Sequence, residues 1–230
     1  MRLTRPADRL AIPKILHHTW IGDDPLPPEA EEMRETWRQH HPEWEMCLWT
    51  KHNLPPMQNR ALYDSRRNTG HRADVLRYEL MLQFGGVYAD MDMECRKPIY
   101  GLIANCEGFA GRVLPSREVT GTQYLEIALL GAVPGHPLFA QAVDNLPEWY
   151  AAHEEYVVPA RTGPQYFQAQ YLAWRAAGEQ YRGEHRDFLL FRPSVFFPYS
   201  WQERGRETEA FPEAYAIHRW WSSWVRQGDG

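Results

Sequence analysis

RADVLRYELMLQFGGVYADMD, Arg72 to Asp92, holds a helix, its stop and a strand in one short run. Ala73, Leu76, Leu80 and Phe84 recur at three- and four-residue spacing, the period of one buried helical face. Gly85 follows where a left-handed residue commonly ends a helix. Val87, Tyr88 and Ala89 then read as a buried strand that runs straight into Asp90 and Asp92. Two neighbouring carboxylates repel one another unless a cation or hydrogen-bond donors compensate both charges. On an extended chain residues i and i+2 leave on one face, so this pair is predicted to converge on a hard divalent ion, Mg²⁺ or Mn²⁺. A bare Asp-x-Asp is common in solvated turns; its place at the end of an apolar strand gives this one weight.

The surrounding elements predict how that strand is used. Ile12 to Trp20 (IPKILHHTW) reads as a first strand, and Pro28 with Glu29, Glu31 and Glu32 as the start of a helix ending near His41-Pro42. Trp44 to Trp49 alternates as a second strand, and the helix before Gly85 begins near Asn68 or Thr69. Strand, helix, strand, helix, strand is the pattern of an open, mostly parallel α/β sheet with helices on its faces, in which ligands bind beyond the carboxyl ends of the strands. Asp74 and Arg77 stand at i and i+3 on one helical face, a spacing that alone gives an ordinary ion pair worth a few tenths of a kcal/mol. A helix running back against the strand starts near the strand's carboxyl edge, which predicts that this pair reaches the same pocket as the aspartates. The second half is irregular: Gly108 to Val113 and Leu125 to Val133 read as strands, Pro137 to Asp144 and a stretch from Pro164 as helices, and Tyr215 to His218 as a last strand.

Composition limits the function. The 230 residues fit one core, and a formal charge of −5 offers no field for a nucleic-acid backbone. Cys47, Cys95 and Cys106 form neither a CxxC pair nor an even disulfide framework, which favours a reducing compartment. Neither a signal peptide nor a membrane-length apolar run is evident, so the expectation is a single-domain cytoplasmic protein without a membrane span. Ten Trp, twelve Tyr and nine Phe are many for this length. Large aromatics mostly fill cores, but they also build flat surfaces for sugar rings and bases.

Arg72 to Asp92 resembles the sugar-binding segment of the family 32 glycosyltransferases, which include the initiating α-mannosyltransferases of the Golgi and bacterial capsular polysaccharide enzymes. Three more blocks are similar in the same order: IPKILHHTWIG from Ile12, TGP at Thr162 to Pro164, and AIHRWWSSW from Ala216. The resemblance implies a glycosyltransferase A type fold, Rossmann-like, with a nucleotide-sugar-binding half over 1–100 and an acceptor-side half over 101–230 that ends in a C-terminal flap. It implies that Asp90 and Asp92, with His218 as third ligand, hold a metal bridging to a nucleoside diphosphate. Asp74 and Arg77 would contact hydroxyls of the donor sugar, Trp20 would lie against the base, and Tyr88, counted among the substrate-binding residues, near the nucleoside. Thr162 would serve the substrate site, and Ser222 and Trp224 the diphosphate. One departure stands out. Where the family often shows an asparagine some eight residues before Gly-His-Pro, here Gly135 to Pro137, this chain has Ile127, with Glu126 beside it as the candidate to take over the polar role and as an alternative acidic participant in the reaction.

The implied reaction is metal-dependent transfer of a hexose from a UDP- or GDP-sugar to an acceptor hydroxyl with retained anomeric configuration, by front-face attack. Two other classes compete. A phosphohydrolase of the haloacid dehalogenase type also places Asp-x-Asp after a strand, with the first Asp as nucleophile, but it wants Thr or Val where this chain has Glu94. A non-catalytic nucleotide-sugar binder would keep the same ligands.

Overall fold

The computed structural model describes residues 12–66, 68–113, 124–154, 157–180 and 188–221. The first half runs β1 (Ile15–Trp20), α1 (Pro28–His40), β2 (Glu45–Thr50), α2 (Arg60–Asp64), α3 (Thr69–Gln83) and β3 (Gly86–Ala89). Then follow β4 (Met93–Cys95), α4 (Tyr100–Ile103), β5 (Gly108–Val113) and β6 (Tyr124–Ala132). The remainder is helical apart from two strands: α5 (Pro137–Asp144), α6 (Leu146–Ala152), α7 (Val158–Arg161), α8 (Pro164–Gln180), β7 (Phe188–Phe191), α9 (Pro193–Phe196), a 3₁₀ turn over Trp201–Arg206 and β8 (Ala216–His218).

Six strands form one sheet in the order β2-β1-β3-β6-β5-β7. Every pair is parallel except the two made by β6, so β6 alone runs against the other five. The expectation of a mostly parallel α/β sheet is met. Its carboxyl edge collects the ends of β1, β3 and β5 together with the beginning of β6. A separate two-stranded ribbon pairs β4 with β8 and sets Met93 opposite His218.

Helices cover both faces. Leu76, Tyr78, Phe139, Phe167 and Trp174 pack on one side of the sheet, and Trp37, Ile99, Ile103, Phe196 and Phe197 on the other. The sequence pattern assigns α3 a single apolar stripe, but Val75, Leu76, Tyr78, Leu80 and Met81 are all buried. The reason is that helices as well as the sheet pack on it: α5 and α2 lie against α3, and the Tyr78 ring also stacks on Phe167 of α8, with its hydroxyl donating to the Thr162 carbonyl. Phe84 lies just past the helix and stays 36% exposed. Gly85 takes the left-handed conformation expected of a helix stop, with φ of 62°. Gly86 is left-handed as well, and a Cβ there would meet the Ile15 carbonyl at 2.6 Å, so glycine is what lets β3 approach β1. Among the described residues no helix is long and apolar enough to cross a membrane.

Candidate functional site

The carboxyl edge opens into a cleft of 1470 Å³, larger than the roughly 300–1,000 Å³ of a usual small-molecule site. Trp20 at the end of β1, Asp74 and Arg77 on α3, Asp90 and Asp92 after β3, and His218 on β8 all line it. Asp90 and Asp92 do not converge by extended-strand alternation as the sequence pattern predicts. β3 ends at Ala89, and the chain turns, with the Met93 N–H donating to the Asp90 carbonyl at 3.0 Å. The turn achieves the convergence instead. One ligand atom from each of Asp90, Asp92 and His218 lies within 4.8 Å of the others.

Each member is fixed by named partners. Asp90 Oδ1 accepts from Arg77 at 2.7 Å and from the Tyr88 hydroxyl at 3.0 Å, while Oδ2 takes no hydrogen bond from the described residues. Asp92 Oδ1 lies 3.1 Å from His218 Nε2, and Oδ2 accepts the Trp221 backbone N–H at 2.8 Å. Trp220, between these two, adopts φ of 54°, unusual for a side chain of its size, and this bend turns the Trp221 N–H onto Asp92. The Trp220 ring lies over the His218 ring with centroids 3.9 Å apart. From the sequence, Trp220 and Trp221 read as packing residues. A backbone N–H leaves no trace in a sequence pattern, so the contribution of Trp221 could not be read there.

Electrostatics follow from burial. Burial raises the Asp90 carboxyl, Arg77 opposes this and Asp92 adds to it, leaving Asp90 above the ordinary carboxylate range. Burial would raise Asp92 too, but the charge and hydrogen bond of His218, with the Trp221 N–H, hold it below that range. His218 is raised: burial disfavours its charge, and Asp92 outweighs burial. Glu126, in the same wall, is raised mainly by burial, against the pull of His218. Two carboxylates and an imidazole around a common point, one with an unbonded oxygen, suit a divalent ion that accepts oxygen and nitrogen, such as Mn²⁺. Mg²⁺ is harder and less suited to the imidazole.

Asp74 and Arg77 complete the floor. Arg77 donates to Asp74 Oδ1 at 2.8 Å and to Asp90 Oδ1, and its guanidinium lies 4.4 Å from the Tyr88 ring centre. Burial pushes the Asp74 carboxyl up to about 7, against the pull of Arg77 and a hydrogen bond from Thr162.

Two expectations need correction. Tyr88 is fully buried and does not line the cleft, so it cannot lie against a nucleoside. It sits beneath Arg77, where its hydroxyl donates to Asp90 and lies 2.8 Å from the Thr19 hydroxyl. Thr162 is likewise fully buried, outside the lining. Its hydroxyl donates to Asp74 Oδ2 at 2.8 Å, so it serves the site by holding an acid rather than by touching a substrate. Strand periodicity says that Tyr88 is inside but not that its hydroxyl ends under the floor. Trp20 lines the cleft as expected, with its indole N–H on the Asp24 carbonyl. Ser222 and Trp224 lie outside the described residues.

Residues 27–109 match the family model described as the glycosyltransferase sugar-binding region containing the DXD motif. Over 223 residues the chain is 27% identical to inositol phosphoceramide mannosyltransferase 3 of Schizosaccharomyces pombe, covering 91% of this chain and 60% of that protein. Over 182 residues it is 28% identical to the mannosyl phosphorylinositol ceramide synthase SUR1 of Saccharomyces cerevisiae, covering 71% of this chain and 44% of that one. The chain thus spans about half the length of these relatives. Among solved structures it is similar to the PaToxG glycosyltransferase, with a TM-score of 0.54, 13% identity, and coverage of 74% of this chain and 72% of that one. A glycosyltransferase involved in glycosylation of the major capsid of PBCV-1 aligns with a TM-score of 0.52 and 10% identity over 93% of this chain and 95% of that one. The fold is the glycosyltransferase A type, and residues 27–109 are similar to the glycosyltransferase sugar-binding region with the DXD motif.

Proposed function

We propose that this chain, which carries the DXD sugar-binding region of the family 32-like glycosyltransferases, moves a hexose from a UDP- or GDP-sugar to an acceptor hydroxyl. The observation that carries this reading is the convergence of Asp90, Asp92 and His218 within 4.8 Å at the floor of a cleft with room for donor and acceptor together. The mannosyltransferase relatives favour mannose as the sugar and a glycoconjugate as the acceptor.

Asp90, Asp92 and His218 are the residues that would hold Mn²⁺ or Mg²⁺. Such an ion, when bound, stabilises charge on the departing diphosphate. The protein supplies the rest. Trp20, at the rim, offers its indole to the base. Asp74 and Arg77 meet the sugar hydroxyls, with Thr162 and Tyr88 keeping those two side chains from swinging. The bond from the anomeric carbon to the diphosphate oxygen breaks and its electron pair leaves with the diphosphate. The acceptor oxygen bonds to the same carbon from the same face, its proton passing to the departing phosphate oxygen, so configuration is retained. Glu94, where a dehalogenase-type phosphohydrolase wants Thr or Val, pairs with Arg96 and Arg219. That engagement gives the phosphohydrolase reading no support.

The test is donor hydrolysis with Mn²⁺ and a panel of GDP-mannose, UDP-glucose, UDP-galactose and UDP-N-acetylglucosamine. Slow release of a nucleoside diphosphate from one of them is expected, reduced at least about 100-fold in Asp92→Asn and kept in Glu35→Gln on the exposed face of α1. Phosphate release from p-nitrophenyl phosphate without any nucleoside diphosphate would overturn the reading. Tight nucleotide binding with no turnover of any donor would make the chain a binder.

A further inference from the structure

Glu126 lines the cleft, yet the transfer outlined above gives it no part. It stands near the start of β6, where pairing with β5 slips: Gly111 faces Glu126 while Ala110 faces Leu130, so Ile127, Ala128 and Leu129 oppose no β5 residue. The Glu126 side chain folds back onto this irregularity, and its Oε1 accepts the N–H groups of Ile127 and Ala128 at 2.9 and 3.3 Å. Oε2 takes no hydrogen bond from the described residues. Irregularities of this kind recur beside active sites, where they re-aim a side chain.

Glu126 shares the cleft lining with Asp74, Arg77, Asp90 and His218, and three of these groups carry charges that act on it. They are those of His218 and Asp90, from the cluster that would hold the diphosphate, and of Arg77, from the pair that would hold the sugar. Asp74 in turn feels the charge of Glu126. A group within reach of both clusters stands where the two parts of a sugar nucleotide join, at the anomeric carbon.

We propose that Glu126 is a catalytic residue whose free oxygen faces the anomeric carbon and stabilises the positive charge that builds there as the bond to the diphosphate breaks. The proposal rests on the transferase reading and names the group in this chain that answers the oxocarbenium-like state. No bond to Glu126 forms: the departing electron pair goes to the diphosphate and the new pair comes from the acceptor oxygen. A fixed negative charge next to developing positive charge is worth more against a protein wall than the same charge in bulk water.

The competing role is architectural, with Glu126 serving only to satisfy two backbone N–H groups. Glutamine separates the two roles, because its carbonyl accepts both N–H bonds while the charge is gone. With the sugar nucleotide that the native protein hydrolyses fastest, Glu126→Gln is expected to lose about 100-fold in kcat at unchanged donor KM. Its melting temperature and its Mn²⁺-dependent binding of the free nucleoside diphosphate should stay at native values. Glu126→Ala should lose the same rate and melt lower as well. Native kcat in Glu126→Gln overturns the proposal and leaves the transferase reading intact. So does a rate loss accompanied by a lower melting temperature and weaker nucleotide binding in the glutamine variant, since that is the mark of a structural part. A native protein that hydrolyses no donor overturns both.

Discussion

Glu31–Arg34 on α1 and Asp74–Arg77 on α3 are the same device placed twice, an acid with an arginine three residues later. On α1 the Glu31 side chain is 45% exposed and shares its charge with Arg38. On α3 the two side chains are 8% and 4% exposed, and Arg77 reaches past its partner to Asp90. Spacing makes both pairs; surroundings put one of them in the cleft. Water reaches the first through Glu31, although Arg34 is only 11% exposed, and a pair half in solvent is worth about 0–1 kcal/mol. The second sits at a sheet edge with Asp90, Asp92 and Glu126 nearby, where one arginine is a large share of the positive charge available.

Removing that arginine should break the comparison most completely. Arg77→Gln leaves buried Asp74 and half-buried Asp90 without their cation, and breaking a buried pair such as Asp74–Arg77 typically costs about 3–5 kcal/mol. Denaturant unfolding should register a loss of that size, and donor hydrolysis should fall at least about 100-fold in the protein that remains folded. Arg34→Gln on α1 should change neither. A small stability change in Arg77→Gln would mean that water or rearrangement supplies the missing compensation, and α3 would then differ from α1 less than its burial indicates.

This contrast also marks what could be read from the letters. The i, i+3 spacing of Asp74 and Arg77, the Asp90-x-Asp92 pair and the left-handed Gly85 are local patterns, and the parallel α/β order followed from them. Their meeting with His218 did not follow from local pattern, since it needs the β4–β8 ribbon, and three-residue strands such as Met93–Cys95 carry too little periodicity to read. Resemblance placed His218 where periodicity could not. Glu126 is picked out only through the resemblance, and the reason is topological: the rule that sites gather at carboxyl ends points away from the start of a strand, and β6 brings its start to that edge only because it alone runs antiparallel. Tyr88 and Thr162 enter the substrate site through the resemblance alone, and nothing in the sequence pattern reports that both side chains end beneath the cleft lining.

The next difference between the two pairs is one of sign with pH. Burial raises Asp74 to about 7 from the model-compound value of 3.8, whereas burial of Glu31 is outweighed by hydrogen bonds from Arg38 and Arg34, which hold it below 4.5. Between pH 3.8 and about 7 the folded protein therefore keeps a proton on Asp74 that the unfolded chain has lost. Stability from this group is complete below the lower value and is lost as pH rises through the upper one, by about 1.4 kcal/mol per pH unit. Asp74→Asn cancels that slope, so its stability relative to the native protein should improve steadily from pH 4 to pH 7 in denaturant titrations at fixed temperature. Carbon NMR of the carboxyl groups should find Asp74 titrating near neutrality and Glu31 in the acid range. An Asp74 resonance already ionised at pH 5 would show that Arg77 and Thr162 prevail over burial.

The smallest effect is expected on α1 itself, and it is the control that gives the larger ones meaning. Glu31→Gln removes a half-exposed carboxylate that accepts from Arg34 and from Arg38 at 2.7 Å. Arg38 keeps other recourse, since it also donates to Glu35 at 3.1 Å and lies 36% exposed to solvent. Early in α1 an acid also faces the positive end of the macrodipole, worth about 0.3–1 kcal/mol at low salt. The expected loss is therefore about 0.5 kcal/mol at low ionic strength and less at 0.5 M salt, with donor hydrolysis unchanged. A larger, salt-insensitive loss would mean that Arg34, 11% exposed, depends on Glu31 as Arg77 depends on its own carboxylates. Burial of the arginine, rather than nearness to the cleft, would then be what distinguishes the two helices.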